Sequence, residues 1–533
     1  MKKKIKNVVM FLILLIASIM IIGSIYYHRE YPKQDFDQIL YYILNGVENT
    51  APSVINNVIS SCIIPVILVL AILYAVTTNK TKKDTYIILK IRKKTLKIRI
   101  YPLRFIADHK RRYVTIVFFL ALVFTILSFK IHTYVINRIQ ATSIYEEHYV
   151  DGRNINIKFP EQKRNLIIII AESMENTVLS KANGGEWEYS IIPQLEKLAL
   201  ENTSFSNTER LGGGFETHGT NFSAGGIVAM TAGIPLKTVD ILEDKNQYNG
   251  NGNYVGGAYT LGEILKKQGY NLEVMMGSEG TFGGRTQYFK TNGDYKVFDV
   301  SYAIDNGKME TQDKVWWGFE DDRLFKWSKE EITELASKDE PFNYIMITAD
   351  THFTDGYLSP NAETKYESQY ENVHAYSSKS IYEFVEWAKK QEFYENTTIV
   401  ILGDHLGMQT EFYEAKADKE YQRTIYNVII NPAIETNNNK NRQFTTMDMY
   451  PTILASIGVE IEGNRLGLGT NLYSDIPTLA EKLGVKELDK EMKKYSSWYN
   501  ENILGQDYYD MRMQKKEERV IENEENNHNN TSI

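Results

Sequence analysis

The chain has 533 residues and a formal charge of -8. It is too long for one ordinary domain and too mildly charged to suggest a nucleic-acid binder. Its single cysteine, Cys62, excludes a disulfide framework and any Cys-based metal centre.

Apolar residues are unevenly spread: three long apolar runs precede residue 136 and none follows it. The first covers 8–27, after Lys2, Lys3, Lys4 and Lys6; about twenty uncharged residues are enough to span a bilayer. A cleaved signal peptide would have a shorter apolar region and a small-residue cleavage site. This run closes on Ile25-Tyr26-Tyr27, which predicts an uncleaved anchor. The second run covers 54–76. The third covers 113–133 and ends near Lys130 and His132, whose polar tips would snorkel to the interface. Between the second and third runs, Lys and Arg recur from Lys80 to Arg112 against only Asp84 and Asp108. That loop is therefore expected in the cytoplasm, facing anionic lipid headgroups. The loop after the first run holds Arg29 and Lys33 against Glu30, Asp35, Asp37 and Glu48, and is expected outside. The N-terminus is then cytoplasmic and everything after the third run extracytoplasmic.

Residues 1–135 thus read as a membrane domain, 136–163 as a linker, 164–506 as an outer domain and 507–533 as a polar tail. The outer domain opens on Asn165-Leu166-Ile167-Ile168-Ile169-Ile170-Ala171, a continuous apolar run typical of a strand buried on both faces. Similar runs cover 272–276, 344–348, 398–402 and 425–430, with helical patterns at 192–202, 260–268 and 374–391. Strands alternating with helices predict an α/β domain with a mostly parallel sheet covered by helices.

In such sheets, ligands bind beyond the carboxyl ends of the strands. Three of these strands end in Glu172-Ser173, in Asp350-Thr351-His352 and in Asp404-His405. Each end alone is as consistent with a helix cap. Together they supply the Glu, Asp and His that suit a divalent cation such as Mn²⁺, Mg²⁺ or Zn²⁺. A fourth feature is Gly219-Thr220-Asn221-Phe222-Ser223-Ala224-Gly225-Gly226, a glycine-rich turn opening a helix. A hydroxyl there lies near free backbone N–H groups and the positive end of the helix dipole. Thr220 reads either as a plain cap or as a nucleophile.

At these residues the chain resembles the lipoteichoic acid synthase and phosphoglycerol transferase family, within the alkaline phosphatase/sulfatase superfamily. The resemblance covers roughly 164–475. It rests on Glu172-Ser173, on Thr220 fifteen residues before Pro235 in Gly233-Ile234-Pro235, on 350–357 and on Asp404-His405. The segments Asp448-Met449-Tyr450-Pro451-Thr452 and 463–472 look like the phosphoglycerol transferase branch especially. The resemblance implies a sulfatase-like fold and one divalent cation, Mn²⁺ foremost, on Glu172, Thr220, Asp404 and His405. It implies Thr220 as nucleophile and His352 as acid or phosphate contact. The donor it implies is phosphatidylglycerol, whose sn-glycerol 1-phosphate passes through phospho-threonine to a hydroxyl. The acceptor would be an envelope glycan, a glycolipid or a polyglycerol phosphate chain. Lipoteichoic acid synthases bind glycerol phosphate with a Trp and an Arg two residues apart. Arg285 matches the Arg, but Gly283 stands at the Trp position, which puts polymerising activity in doubt. His218, His374, Glu175 and Asp355 read as structural, capping or solvated.

Three alternatives have distinguishing marks. A sulfatase would carry Cys/Ser-x-Pro-x-Arg, which is absent around Thr220. A phosphoethanolamine transferase would bring more spans and external disulfides. A catalytically inactive sensor on this fold would not need Glu172, Thr220, Asp404 and His405 together.

Overall fold

A computed structural model describes residues 2–30, 34–44, 56–78, 85–91, 94–100, 108–237 and 254–504. The expected polar tail, 507–533, lies outside the described residues. So do residues 31–33 and 45–55 between the first two apolar runs and most side chains of the polybasic loop. The chain divides into two compact units, Met1–Ile39 with Thr50–Ile136 and Leu40–Asn49 with Asn137–Ile533.

The first unit holds helices α1 (Lys2–Glu30), α2 (Ile64–Thr78) and α3 (Lys110–Ser128). Three stretches, Ile5–Glu30, Asn56–Thr77 and Lys110–Ser128, are long and apolar enough to cross a membrane. At about 1.5 Å per residue, even the shortest spans nearly the whole hydrocarbon layer. Met10 and Leu14 pack with Val114, and Ser24 Oγ lies 3.1 Å from Thr125 Oγ1. The polybasic loop contains an antiparallel hairpin of β1 (Thr85–Ile91) and β2 (Lys94–Ile100).

The second unit is built on a six-stranded sheet. Its strands are β3 (Asn165–Ala171), β4 (Asn271–Met276), β5 (Lys296–Phe298), β6 (Phe342–Ile347), β7 (Thr397–Gly403) and β8 (Asn427–Ile430). Their order across the sheet is β5-β4-β6-β3-β7-β8. All neighbours are parallel except β8, which runs antiparallel to β7. The continuous apolar runs follow from burial on both faces. Along β3, Leu166, Ile168 and Ile170 enter one core, while Ile167, Ile169 and Ala171 enter the other. Each of the leucine and isoleucine side chains contributes about 1.5–3 kcal/mol by leaving water.

On one face lie α4 (Pro193–Glu201), α8 (Asp321–Ala336) and α9 (Gln369–Ala388), through Leu195, Leu324 and Phe384 among others. On the other lie α5 (Ser223–Ala232), α6 (Leu261–Lys267) and α10 (Met449–Ser456), through Ile227, Leu261 and Ile453. The unit is a mixed α/β domain with a mostly parallel sheet, as the run lengths and helical patterns anticipated.

Residues 136–163 differ from the expected linker. Ile144 and Tyr145 are buried in the core, and the 157–158 strand pairs with Glu460–Ile461. Val150 bonds Gly467 in both directions. Polar composition disguised this segment, because its few apolar residues are the ones that dock.

His374 lies inside α9 rather than at its start. It is fully buried against Tyr370 (ring centroids 4.5 Å apart) and Phe412, with Nε2 3.2 Å from Tyr413 Oη. Burial holds its pKa down at about 3. Between about pH 6.5 and 3 the unfolded chain therefore takes up a proton that the folded chain refuses. Stability is full above pH 6.5 and falls by about 1.4 kcal/mol per pH unit below it. His374→Phe should flatten the acid limb by that slope. Urea denaturation of the detergent-solubilised protein at stepped pH measures it, and an unchanged slope would contradict it.

Candidate active site

β6, β3 and β7 are adjacent, with Ile170 opposite Ile347 and Ala171 opposite Gly403. Their carboxyl ends therefore open at one place. Glu172 follows β3 and Asp404-His405 follow β7. One ligand atom from each lies within 4.8 Å of the others, and all three residues are buried. His405 Nε2 stands 3.5 Å from Glu172 Oε1 and 3.3 Å from Asp404 Oδ2.

Backbone and neighbours set each side chain. Asp404 Oδ1 accepts the amides of Ser173 at 2.8 Å and His405 at 2.9 Å. Its Oδ2 has no hydrogen-bond partner. The Ser173 hydroxyl donates to Glu172 Oε1 at 2.7 Å. Thr351 Oγ1 donates to the Glu172 carbonyl at 2.6 Å. His405 Nδ1 lies 2.8 Å from the Leu406 carbonyl, which leaves Nε2 for the cluster. Burial, then Glu172, pushes the Asp404 carboxyl up to about 7. Burial pulls His405 down, but Asp404 and Glu172 prevail and raise it to about 9. Two carboxylates, one of them with an orphaned buried oxygen, and an imidazole form a donor set that fits a divalent cation.

The turn after His405 is held from two sides. Glu216 Oε2 accepts the Leu406 amide at 3.0 Å, and Glu175 Oε2 accepts the Gly407 amide at 2.8 Å. Arg423 donates from Nε to Glu175 Oε1 at 2.9 Å, pairs through Nη2 with Glu175 Oε2, and donates to the Gly407 carbonyl at 2.7 Å. Its guanidinium also lies over the Tyr413 ring, 4.4 Å from the centroid. Glu175, read from sequence as solvated or capping, is thus fully buried and ion-paired. Asp355 remains exposed, linked to Gln409.

The hydroxyl brought to the cluster is not that of Thr220. Thr220 Oγ1 donates to the Thr217 carbonyl at 3.0 Å and accepts the Thr217 amide at 2.9 Å. It closes a buried turn three residues before α5. The helix begins at Ser223, whose Oγ lies 3.2 Å from Glu172 Oε2 and 3.3 Å from His405 Nε2. Glycines permit this approach: a Cβ at Gly226 would lie 2.1 Å from the Asp404 carbonyl oxygen, and one at Gly225 2.4 Å from that of Gly219. Ser223 therefore meets the cluster at the positive end of the α5 dipole.

His352 is partly exposed. Its Nδ1 lies 2.6 Å from the Phe353 carbonyl, and loss of hydration around its ring lowers its pKa to about 4. His405, Asp404 and Arg285 all act on its charge. Arg285 opens α7 (Arg285–Thr291). It donates to the Phe282 carbonyl, Ser278 Oγ and the Glu279 carbonyl at 2.9–3.0 Å. Gly283 and Gly284 before it are left-handed, with φ of 65° and 68°. A Cβ at Gly283 would find only Ala224 Cβ within 4 Å, at 3.8 Å. Trp317 lies 5.3 Å from Phe282 and 4.8 Å from His352, ring to ring. His218 is buried, its amide bonded to Asp489.

The chain belongs to the sulfatase family, whose model, described as Sulfatase, matches residues 164–459. Among curated relatives, phosphoglycerol transferase I of Xanthomonas campestris pv. campestris (strain B100) is 28% identical over 347 residues. That match covers 64% of this chain and 47% of the relative. Phosphoglycerol transferase I of Escherichia coli O127:H6 is 28% identical over 387 residues, covering 65% and 46%. The chain spans about half the length of these relatives. Similar solved structures include a lipoteichoic acid synthase from Listeria monocytogenes, 18% identical, covering 60% of this chain and 80% of that one, TM-score 0.47. Another is lipooligosaccharide phosphoethanolamine transferase A from Neisseria meningitidis, 13% identical, covering 85% and 84%, TM-score 0.49.

Proposed function

We propose that the chain is a membrane-anchored phosphoglycerol transferase whose attacking group is the Ser223 hydroxyl. The observation that carries this is the position of Ser223 Oγ, between Glu172 and His405 at the start of α5. The phosphoglycerol transferase I relatives support the donor, and the three apolar helices support the anchor. The N-terminus is cytoplasmic and the site extracytoplasmic, beside the outer-leaflet lipid.

Glu172, Asp404 and His405 would hold one divalent cation, Mn²⁺ before Mg²⁺ or Zn²⁺. Such an ion supplies a lowered pKa for a nearby hydroxyl and neutralises charge on phosphoryl oxygens. Arg285 grips the phosphate of phosphatidylglycerol. Ser223 Oγ, its proton first lost to solvent, bonds to phosphorus while the bond to the diacylglycerol oxygen breaks. His352 delivers a proton to that oxygen, its pKa raised by the bound phosphate. In the second half, His352 takes the proton of an acceptor hydroxyl. That oxygen bonds to phosphorus and Ser223 is released. The product is sn-glycerol 1-phosphate esterified to an envelope glycan, glycolipid or polyglycerol phosphate hydroxyl.

Vesicles carrying labelled phosphatidylglycerol or phosphatidylethanolamine test the donor. Diacylglycerol should appear from the first, stop with EDTA and return with Mn²⁺. Release only from phosphatidylethanolamine would replace this reading with phosphoethanolamine transfer, and release from neither would remove the activity.

A further inference from the structure

The turn that ends β3 does more than present Glu172. Ser173 is fully buried and left-handed, with φ 55°, a region that side chains other than glycine and asparagine adopt at a cost. Two bonds leave this one residue for two carboxylates on different strand ends. Its amide donates to Asp404 Oδ1 beyond β7, and its hydroxyl donates to Glu172 Oε1 beyond β3. With the His405 amide also on Asp404 Oδ1, that oxygen is filled, and Oδ2 is left with no hydrogen bond, facing His405 Nε2 at 3.3 Å. On Glu172, Oε1 is held by Ser173 while Oε2 takes the bond from Ser223. Glycine would make the same turn with no steric cost. Serine keeps the left-handed turn and adds the hydroxyl that fixes Glu172.

We infer that Ser173 is a positioning residue for the cation centre: it sets which oxygens of Glu172 and Asp404 face the ion before the ion arrives. This rests on the reading of Glu172, Asp404 and His405 as cation ligands. Ser173 itself touches neither ion nor lipid. It acts through the two carboxylates, as partners behind metal ligands generally do.

The test uses the full chain in detergent, stripped with EDTA and titrated with Mn²⁺ by calorimetry. Ser173→Gly keeps the amide and relaxes the backbone, so only the hydroxyl is removed. Ser173→Ala removes the hydroxyl and keeps the backbone cost. Both should weaken Mn²⁺ binding by about 10–100-fold. The Tm of stripped S173G should match or exceed the wild type, while the rise in Tm on adding Mn²⁺ shrinks. A Mn²⁺ Kd within twofold of wild type in S173G would overturn the inference. So would equal losses of Tm in the stripped and loaded forms, which mark a purely structural role. If S173A does not fold, S173G alone decides. Absence of Mn²⁺ uptake by the wild type would overturn the cation centre itself, and the inference with it.

Discussion

Ser223→Ala is expected to abolish glycerophosphate transfer, with a loss of at least a thousandfold and on the order of 10⁴–10⁶ if the serine is the sole nucleophile. Thr220→Val should keep activity within about tenfold. The two hydroxyls are three residues apart in sequence but have different neighbours. Thr220 spends its donor and its acceptor capacity on Thr217, so its loss costs a turn, about 1–2 kcal/mol. Ser223 Oγ lies against Glu172 and His405, where a deprotonating environment and the α5 N-terminus act together. Diacylglycerol release from phosphatidylglycerol vesicles measures both variants. Without an acceptor, the glycerophosphoryl adduct should be found on the Ser223 peptide by tandem mass spectrometry. An active Ser223→Ala beside a dead Thr220→Val would return the nucleophile to Thr220.

The misplacement of that hydroxyl shows what local sequence carries. The run 165–171 announced a strand buried on both faces, and β3 has those bounds because every residue from 166 on meets one of two cores. Strand direction was not legible. The 425–430 run looks like the others, yet β8 is antiparallel, because apolar content records burial and not polarity. Glu172, Asp404 and His405 were legible because each follows its strand directly, and parallel register then aligns the strand ends. The residue that starts α5 is different. Thr217, Thr220 and Ser223 all sit in one glycine-rich stretch. What selects among them is the close approach of Gly226 to Asp404, a contact almost 180 residues away. Spacing to Pro235 counts residues along the chain and is blind to that contact. Trp317, Glu175 with Arg423, and Ser173 were missed for the same reason: each acts through a partner from another segment.

Arg423 carries the second large expectation. Arg423→Leu should destabilise the fold by about 3–5 kcal/mol, the cost of stranding a buried charge. Glu175 is fully buried, and among its described bonds the Arg423 guanidinium is its cationic partner. Removing Arg423 also takes the donor from the Gly407 carbonyl, so the turn carrying Asp404 and His405 loosens and Mn²⁺ binding should weaken with it. Glu175→Gln in the same chain should recover more than half of the stability. The amide is neutral, so no charge is stranded, and its oxygen still accepts the Gly407 amide that Glu175 accepts now. Mn²⁺ affinity should recover less, because the Gly407 carbonyl is still without its donor. Urea unfolding and Mn²⁺ titration of the single and double variants separate the two effects. If the double variant is as unstable as Arg423→Leu alone, the charge on Glu175 is not what Arg423 answers. The lost packing over the Tyr413 ring would then account for the destabilisation instead.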